Sequence, residues 1–193
     1  MTTDSPQATL IGTLWPARSA PALRWGLLML LGSLFLAVCA QVYVPLQPVP
    51  ITMQTFGVLL LGMVFGARLG AATVALYLLE GAAGLPVFAG MTGGLPVLFG
   101  PTGGYLFGFI IAAWLVGSLA ERGWDRGVLT TALAMLFGNI VLYVPGLIWL
   151  ANLFGAQVAI AHGLAPFILG DVLKIALAAG LLPSAWWLTR RML

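Results

Sequence analysis

Long apolar runs separated by short polar or Gly/Pro-rich stretches fill the chain from Trp25 onward. A helix needs about 20 mostly apolar residues to cross the roughly 30 Å hydrocarbon core of a bilayer. Runs of this kind occupy Trp25–Tyr43, Met53–Phe65, Leu69–Phe88, Tyr105–Ala120, Val128–Leu150 and Pro166–Leu188. The second is short, and its helix is expected to extend back into the preceding "PLQPVPIT". The pattern predicts an all-α integral membrane protein, with six transmembrane helices in a compact bundle over residues 22–193. Residues 1–21 are polar and rich in Ala and Pro, and are expected to form a flexible N-terminal tail. The apolar run after them is too long for the roughly 7–15-residue core of a signal peptide.

Composition supports the membrane assignment. Of 193 residues, 61% are hydrophobic and 7% are charged, against about 25% charged in soluble domains. A soluble fold of this size could not hide so much apolar surface. The single Cys39 excludes an internal disulfide. The net charge of +3 is scattered and gives no nucleic-acid footprint.

The cations follow the predicted spans. Arg18 and Arg24 precede the first, Arg68 separates the second from the third, and Arg122 and Arg126 separate the fourth from the fifth. Arg190 and Arg191 follow the sixth. The alternate connections, "VPLQPVPIT", "AGMTGGLPVLFGPTGG" and "ANLFGAQVAIAHGLA", hold no Lys or Arg. Positive charge marks the cytoplasmic side, so both termini are expected in the cytoplasm. The irregular sequence then gathers outside, where "GLPVF" at 84–88 returns as "GLPVL" at 94–98. Such broken backbone near a membrane is tolerated where it is buried in protein or lines a cavity. It is read as a packed connection or as the lid and wall of a pocket.

Few polar residues lie within the spans. Asp171 and Lys174 share a helix face at i and i+3, and each charge costs about 2.5–3.5 kcal/mol near mid-membrane. The pair either neutralises itself inside the bundle or holds a ligand. Since packed hydrophobes in place of a buried pair are often neutral or stabilising, the ligand reading is preferred. Lys174 is then the one cation that an anionic solute entering from outside would meet. Asn139, with Tyr143 one turn later, serves an interhelical hydrogen bond or a pocket. Gln54 opens the second helix on the outer side, Glu80 lies in the outer half of the third, and His162 is expected in an outer loop. The sequence "GPTGG" lacks the lysine of a phosphate-binding loop, and no HExxH or paired-Cys motif occurs. Neither an ATP site nor a metal site is expected in this chain.

The blocks "PLQPVPITMQTFGVLLLGMVFGARLGA", "GAAGLPVFAGMTGG", "LFGPTGGYLFGF" and "ILGDVLKIAL" resemble BioY, the biotin-binding S component of ECF (energy-coupling factor) transporters. The resemblance runs from about Trp25 to the last helix. It implies a multi-pass protein of a bacterial inner membrane that captures biotin near its outer face, without catalysis and without a cofactor. A transmembrane coupling subunit and ATPase subunits are the implied partners. Asp171 and Lys174 would contact biotin, Thr92, Gly93 and Gly94 would form the pocket loop, Tyr105 a wall and Gln54 the roof. Phe88 and Tyr105 suit the apolar thiophane ring, Asp171 can accept from the ureido N–H groups, and Lys174 can donate to the ureido carbonyl or the carboxylate. Small residues in the first helix of S components often dock the coupling subunit, and Ser33 and Ala37 are the nearest equivalent here. Two positions depart from the pattern. Leu106 stands where some relatives have a cation, and Glu80 where an apolar residue is expected. The competing readings are a proton-coupled carrier using Asp171 or Glu80, and a membrane enzyme using Asp171 or Lys174.

Overall fold

The computed structural model describes residues 9–15 and 21–192. These residues form nine helices and one small hairpin: α1 (Leu10–Leu14), α2 (Pro21–Gln41), β1 (Tyr43–Val44), β2 (Ile51–Thr52), α3 (Gln54–Phe65), α4 (Ala67–Ala82), α5 (Leu95–Leu98), α6 (Gly103–Ala120), α7 (Val128–Phe154), α8 (Ala156–Gly163) and α9 (Phe167–Met192). Four of them, α2, α6, α7 and α9, are long and apolar enough to cross a membrane. α3 and α4 have 12 and 16 residues and rise about 18 and 24 Å.

Burial sorts these helices. α3 is apolar all round and buries nine of its residues, from Gln54 to Met63, as expected for a helix at the centre of a bundle. α2 has two faces. Leu23, Leu27, Leu30, Leu31, Leu34 and Val38 are exposed, while Leu28, Gly32, Ser33, Leu36, Cys39 and Ala40 are buried. Apolar stripes of this extent suit contact with lipid rather than water.

Between α6 and α7 the backbones approach closely. A methyl group on Gly104 would lie 2.4 Å from Trp149 Cβ, and one on Gly108 would lie 2.8 Å from the Leu142 carbonyl oxygen. Small residues permit this packing where lipid supplies no hydrophobic drive for helices to associate.

The charged end of the bundle is fastened by two carboxylates. Glu121 Oε1 accepts the Ala67 N–H at 2.9 Å, which satisfies an orphan donor at the start of α4. Asp125 is fully buried and accepts the indole N–H of Trp186, while the Arg126 guanidinium lies 4.7 Å over the Trp186 ring. Together these tie the α6–α7 turn to α9.

Several boundaries differ from the sequence expectation. "PLQPVPIT" does not extend α3; it forms the turn and second strand of a hairpin, with Tyr43 paired to Thr52 and Val44 to Ile51. Pro45, Pro48 and Pro50 lack the N–H donors a helix needs. The third run stops being helical at Ala82, and Gly84 takes φ +96° just before Pro86. α7 and α9 run on to Phe154 and Met192. His162 is not in a loop but in the last turn of α8. Within the stretch expected to be a tail, Thr9 accepts the Gly12 N–H and caps α1, whose Leu10 is buried.

Candidate functional site

At the end of the bundle opposite Glu121 and Asp125, a cavity of about 210 Å³ opens among the hairpin, the segment after α4, and helices α3, α6, α7 and α9. Gln54, Phe88, Thr92 and Tyr105, all expected at a site, border it. Phe109, Leu142 and Phe167 complete an apolar wall, and Val49 and Pro50 of the hairpin turn close one side.

The aromatic wall is built on glycines. Tyr105 lies against Gly146, where an added methyl would come within 2.4 Å of its ring, and its hydroxyl donates to the Gly163 carbonyl at 3.0 Å. Its ring stacks on Phe167 with centroids 6.5 Å apart and meets Tyr143 edge-on at 6.1 Å. Phe88 covers Gly81, where a methyl would overlap the ring at 2.0 Å, and meets Tyr77 edge-on at 5.5 Å. The segment carrying Phe88 is shaped by Gly93 and Gly94. Gly93 packs against the Leu85 carbonyl so closely that a methyl would lie 2.2 Å from its oxygen, and Gly94 has φ +92°. These two glycines set the course of the loop without bordering the cavity.

Asp171 and Lys174 stand one layer behind the wall. Both are buried, and Lys174 Nζ lies 3.2 Å from Asp171 Oδ1. The second carboxylate oxygen accepts the Tyr143 hydroxyl, and the ammonium also donates to Thr55 Oγ1 at 2.8 Å. Tyr143 and Thr55 border the cavity; the charged pair does not. Its polarity therefore reaches the cavity through two hydroxyls. Lys174 instead borders a neighbouring apolar groove between the hairpin and α9.

Gln54 belongs to a second polar chain. Its Nε2–H donates to Tyr77 Oη at 2.7 Å, Tyr77 donates on to the Val87 carbonyl at 2.8 Å, and Thr52 Oγ1 donates to Gln54 Oε1 at 3.1 Å. Asn139 is buried away from this cavity, with its side-chain oxygen unpartnered. The proposed docking pair does not lie on a free face. Ser33 is 1% exposed and donates to Glu80, and Ala37 is half-buried against the core. That bond also accounts for the acid on α4, whose role the sequence left open.

Thr55, Tyr143 and Phe167 are the main residues of the site beyond those singled out as ligand contacts. Position gives the signal for two of them: Thr55 follows Gln54, and Tyr143 lies one turn after Asn139.

Fold and site together define a helical membrane protein with a largely apolar ligand cavity at one end of its bundle, backed by a buried ion pair. It is a multi-pass membrane protein. The chain belongs to the BioY family, whose pattern matches residues 12–191. The biotin transporter BioY of Thermotoga maritima is 42% identical over 146 residues, 75% of this chain and 85% of that protein. The biotin transporter BioY of Rhizobium etli is 44% identical over 140 residues, 68% of this chain and 75% of that protein. The crystal structure of the S-component for biotin from an ECF-type ABC transporter shares the fold. It superposes with a TM-score of 0.72 at 24% identity, covering 84% of this chain and 90% of that one.

Proposed function

We propose that the protein captures biotin from the outer face of the cell membrane as the S component of an ECF-type transporter. The observation that carries this reading is the cavity itself. Its apolar aromatic walls suit a thiophane ring and an alkyl chain, and its polar hydroxyls at Tyr143 and Thr55 stand against the Asp171–Lys174 pair. Ligand sites combine mostly apolar lining with a few placed polar groups in this way. In this reading Phe88 and Tyr105 flank the ring system, the loop through Thr92, Gly93 and Gly94 covers it, and Gln54 closes the roof. Asp171 and Lys174 set the polarity that the ureido group or the carboxylate meets. The names of the relatives agree with this assignment.

The same proposal sets six crossings. α3 and α4 complete the count with the hairpin and loop at the cavity end, and the cation-rich connections lie in the cytoplasm. Binding is the chain's own task, and a coupling subunit with paired ATPases supplies the energy. The site binds and releases its ligand chemically unchanged. The proton-coupled alternative rests on Asp171 or Glu80; Glu80 is engaged by Ser33 and Asp171 by Lys174 and Tyr143, and neither acid borders the cavity.

Titration of the purified chain with biotin tests the proposal. Nanomolar affinity, about −12 kcal/mol, is expected, and absence of binding at micromolar concentration overturns it. Biotin methyl ester separates the ends of the ligand: equal binding would rule out the carboxylate at the Thr55–Lys174 side of the site.

A further inference from the structure

The last residue of α2, Gln41, grips the cavity's covering segment from outside. Its Nε2–H donates to the Phe88 carbonyl at 3.0 Å and to the Ala37 carbonyl at 3.2 Å, and its Oε1 accepts the Met91 N–H at 3.1 Å. One amide thus satisfies a backbone acceptor and a backbone donor on either side of a single turn, which uses both halves of its hydrogen-bonding capacity. The turn is closed on itself by the Phe88 N–H, which donates to the Thr92 carbonyl at 3.0 Å. Phe88 and Thr92 border the cavity, while Met91 is 64% exposed. The segment therefore lies between cavity and exterior. Glycines at positive φ stand at both of its ends, Gly84 at +96° and Gly94 at +92°, where backbone can change direction without the strain a side chain would add.

From inside, the same segment is held by Tyr77 at the Val87 carbonyl, and Tyr77 is in turn held by Gln54. Gln54 borders the cavity. Gln41 does not border the cavity.

We propose that Gln41 is a positioning residue that latches the Phe88–Thr92 turn over the cavity mouth and so sets how fast ligand enters and leaves. The proposal rests on the biotin reading above for its ligand, but not for its geometry. Because Gln41 touches nothing in the cavity, its bonds stabilise the closed cover equally in the free and the loaded protein. Weakening the latch raises the open fraction in both. Entry and exit then accelerate together, and their ratio, the affinity, stays nearly constant. A residue that supported a ligand contact would instead raise the exit rate alone. A merely structural residue would lower the folded fraction and leave the rates of the folded remainder unchanged.

The experiment uses the full chain in lipid nanodiscs, with association and dissociation of labelled biotin followed by rapid mixing. Gln41→Met keeps the side chain's length and removes both bonds to the turn. Both rates are expected to rise by the same factor, roughly tenfold to a hundredfold for two neutral hydrogen bonds, with affinity changed less than about threefold. Gln41→Glu keeps an acceptor for the Met91 N–H and loses the donor to Phe88, and should fall between Gln41→Met and the native chain. Unchanged rates, or a faster exit with an unaltered entry, would overturn the latch. Backbone hydrogen exchange across residues 88–94 gives a readout that needs no ligand, and should quicken at least severalfold in Gln41→Met. If the native chain fails to bind biotin, the function proposal fails and exchange still decides the latch: unaltered exchange in that segment contradicts it.

Discussion

The hydroxyl of Tyr143 donates to the carboxylate of Asp171, so an acid that borders no cavity acts on one through a side chain that does. Thr55 performs the same office for Lys174 at 2.8 Å. Neither charge borders the cavity itself, and the two residues that carry the hydroxyls do.

Tyr143→Phe removes that contact and leaves the ring packed against Tyr105 and Phe167. In the proposed reading the Tyr143 hydroxyl, polarised by Asp171, also meets the ligand. Losing a hydrogen bond of that charge-assisted kind costs about 1.5–3 kcal/mol, so biotin affinity should fall roughly 10- to 150-fold. Isothermal titration of the folded variant measures this directly. Native affinity in Tyr143→Phe would place the pair's influence elsewhere.

How far the sequence could be read depended on whether the information was local. The i, i+3 spacing of Asp171 and Lys174 placed them on one helix face, and they meet at 3.2 Å. Gln54, Phe88, Thr92 and Tyr105, from separate motif blocks, border one cavity, whereas Gly93, Gly94 and Asn139 do not. Partners across the bundle were not legible. Lys174 and Thr55 are 119 residues apart, and Tyr143 and Asp171 are 28 apart. A hydroxyl in an apolar helix carries no periodic signal of what it faces. The hairpin at Tyr43–Thr52 is not legible because a short apolar run with prolines reads as a helix start unless the lost N–H donors are counted. Size and spacing suggest Ser33 as a docking residue, whereas it is buried and bonded to Glu80, 47 residues away in sequence.

Asp125 makes a prediction at the charged end. Burial raises its pKa above the usual 3.8, outweighing the Trp186 N–H, its own backbone N–H and the Arg126 cation, all of which lower it. In the window between the unfolded and the raised folded value, the folded state holds more protons than the unfolded one. Stability therefore falls as pH rises through that window and levels off above it. Asp125→Asn retains an acceptor for the indole and loses this dependence. Thermal unfolding in detergent from about pH 4 to 7 should show a downward slope for the native chain relative to the variant. Parallel curves would contradict the assignment.

Orientation can be read with single cysteines in a Cys39→Ala background. Gln157 and Arg122 are both exposed and lie at opposite ends of the bundle. A cysteine at Gln157 should react with an impermeant maleimide applied to intact cells, and one at Arg122 should react only after lysis. The reverse pattern would turn the cavity towards the cytoplasm.

The central claim is that the Asp171–Lys174 pair serves the ligand and not merely itself. Equilibrium biotin affinity of the Asp171→Leu, Lys174→Met double variant, compared with each single variant, tests it most directly, once the protein is shown to insert and stay monodisperse. A self-neutralising pair can be exchanged for packed hydrophobes with little loss, because no charge is stranded. A pair that polarises the site cannot. Removing either member deprives a hydroxyl of its charged partner, and a hydrogen bond involving a charged group contributes about 1.5–3 kcal/mol, roughly 10- to 150-fold in affinity. Each single substitution should lose binding on that scale, and the double variant should remain as weak as the singles. Near-native affinity in the double variant would contradict the account and assign both residues to the scaffold.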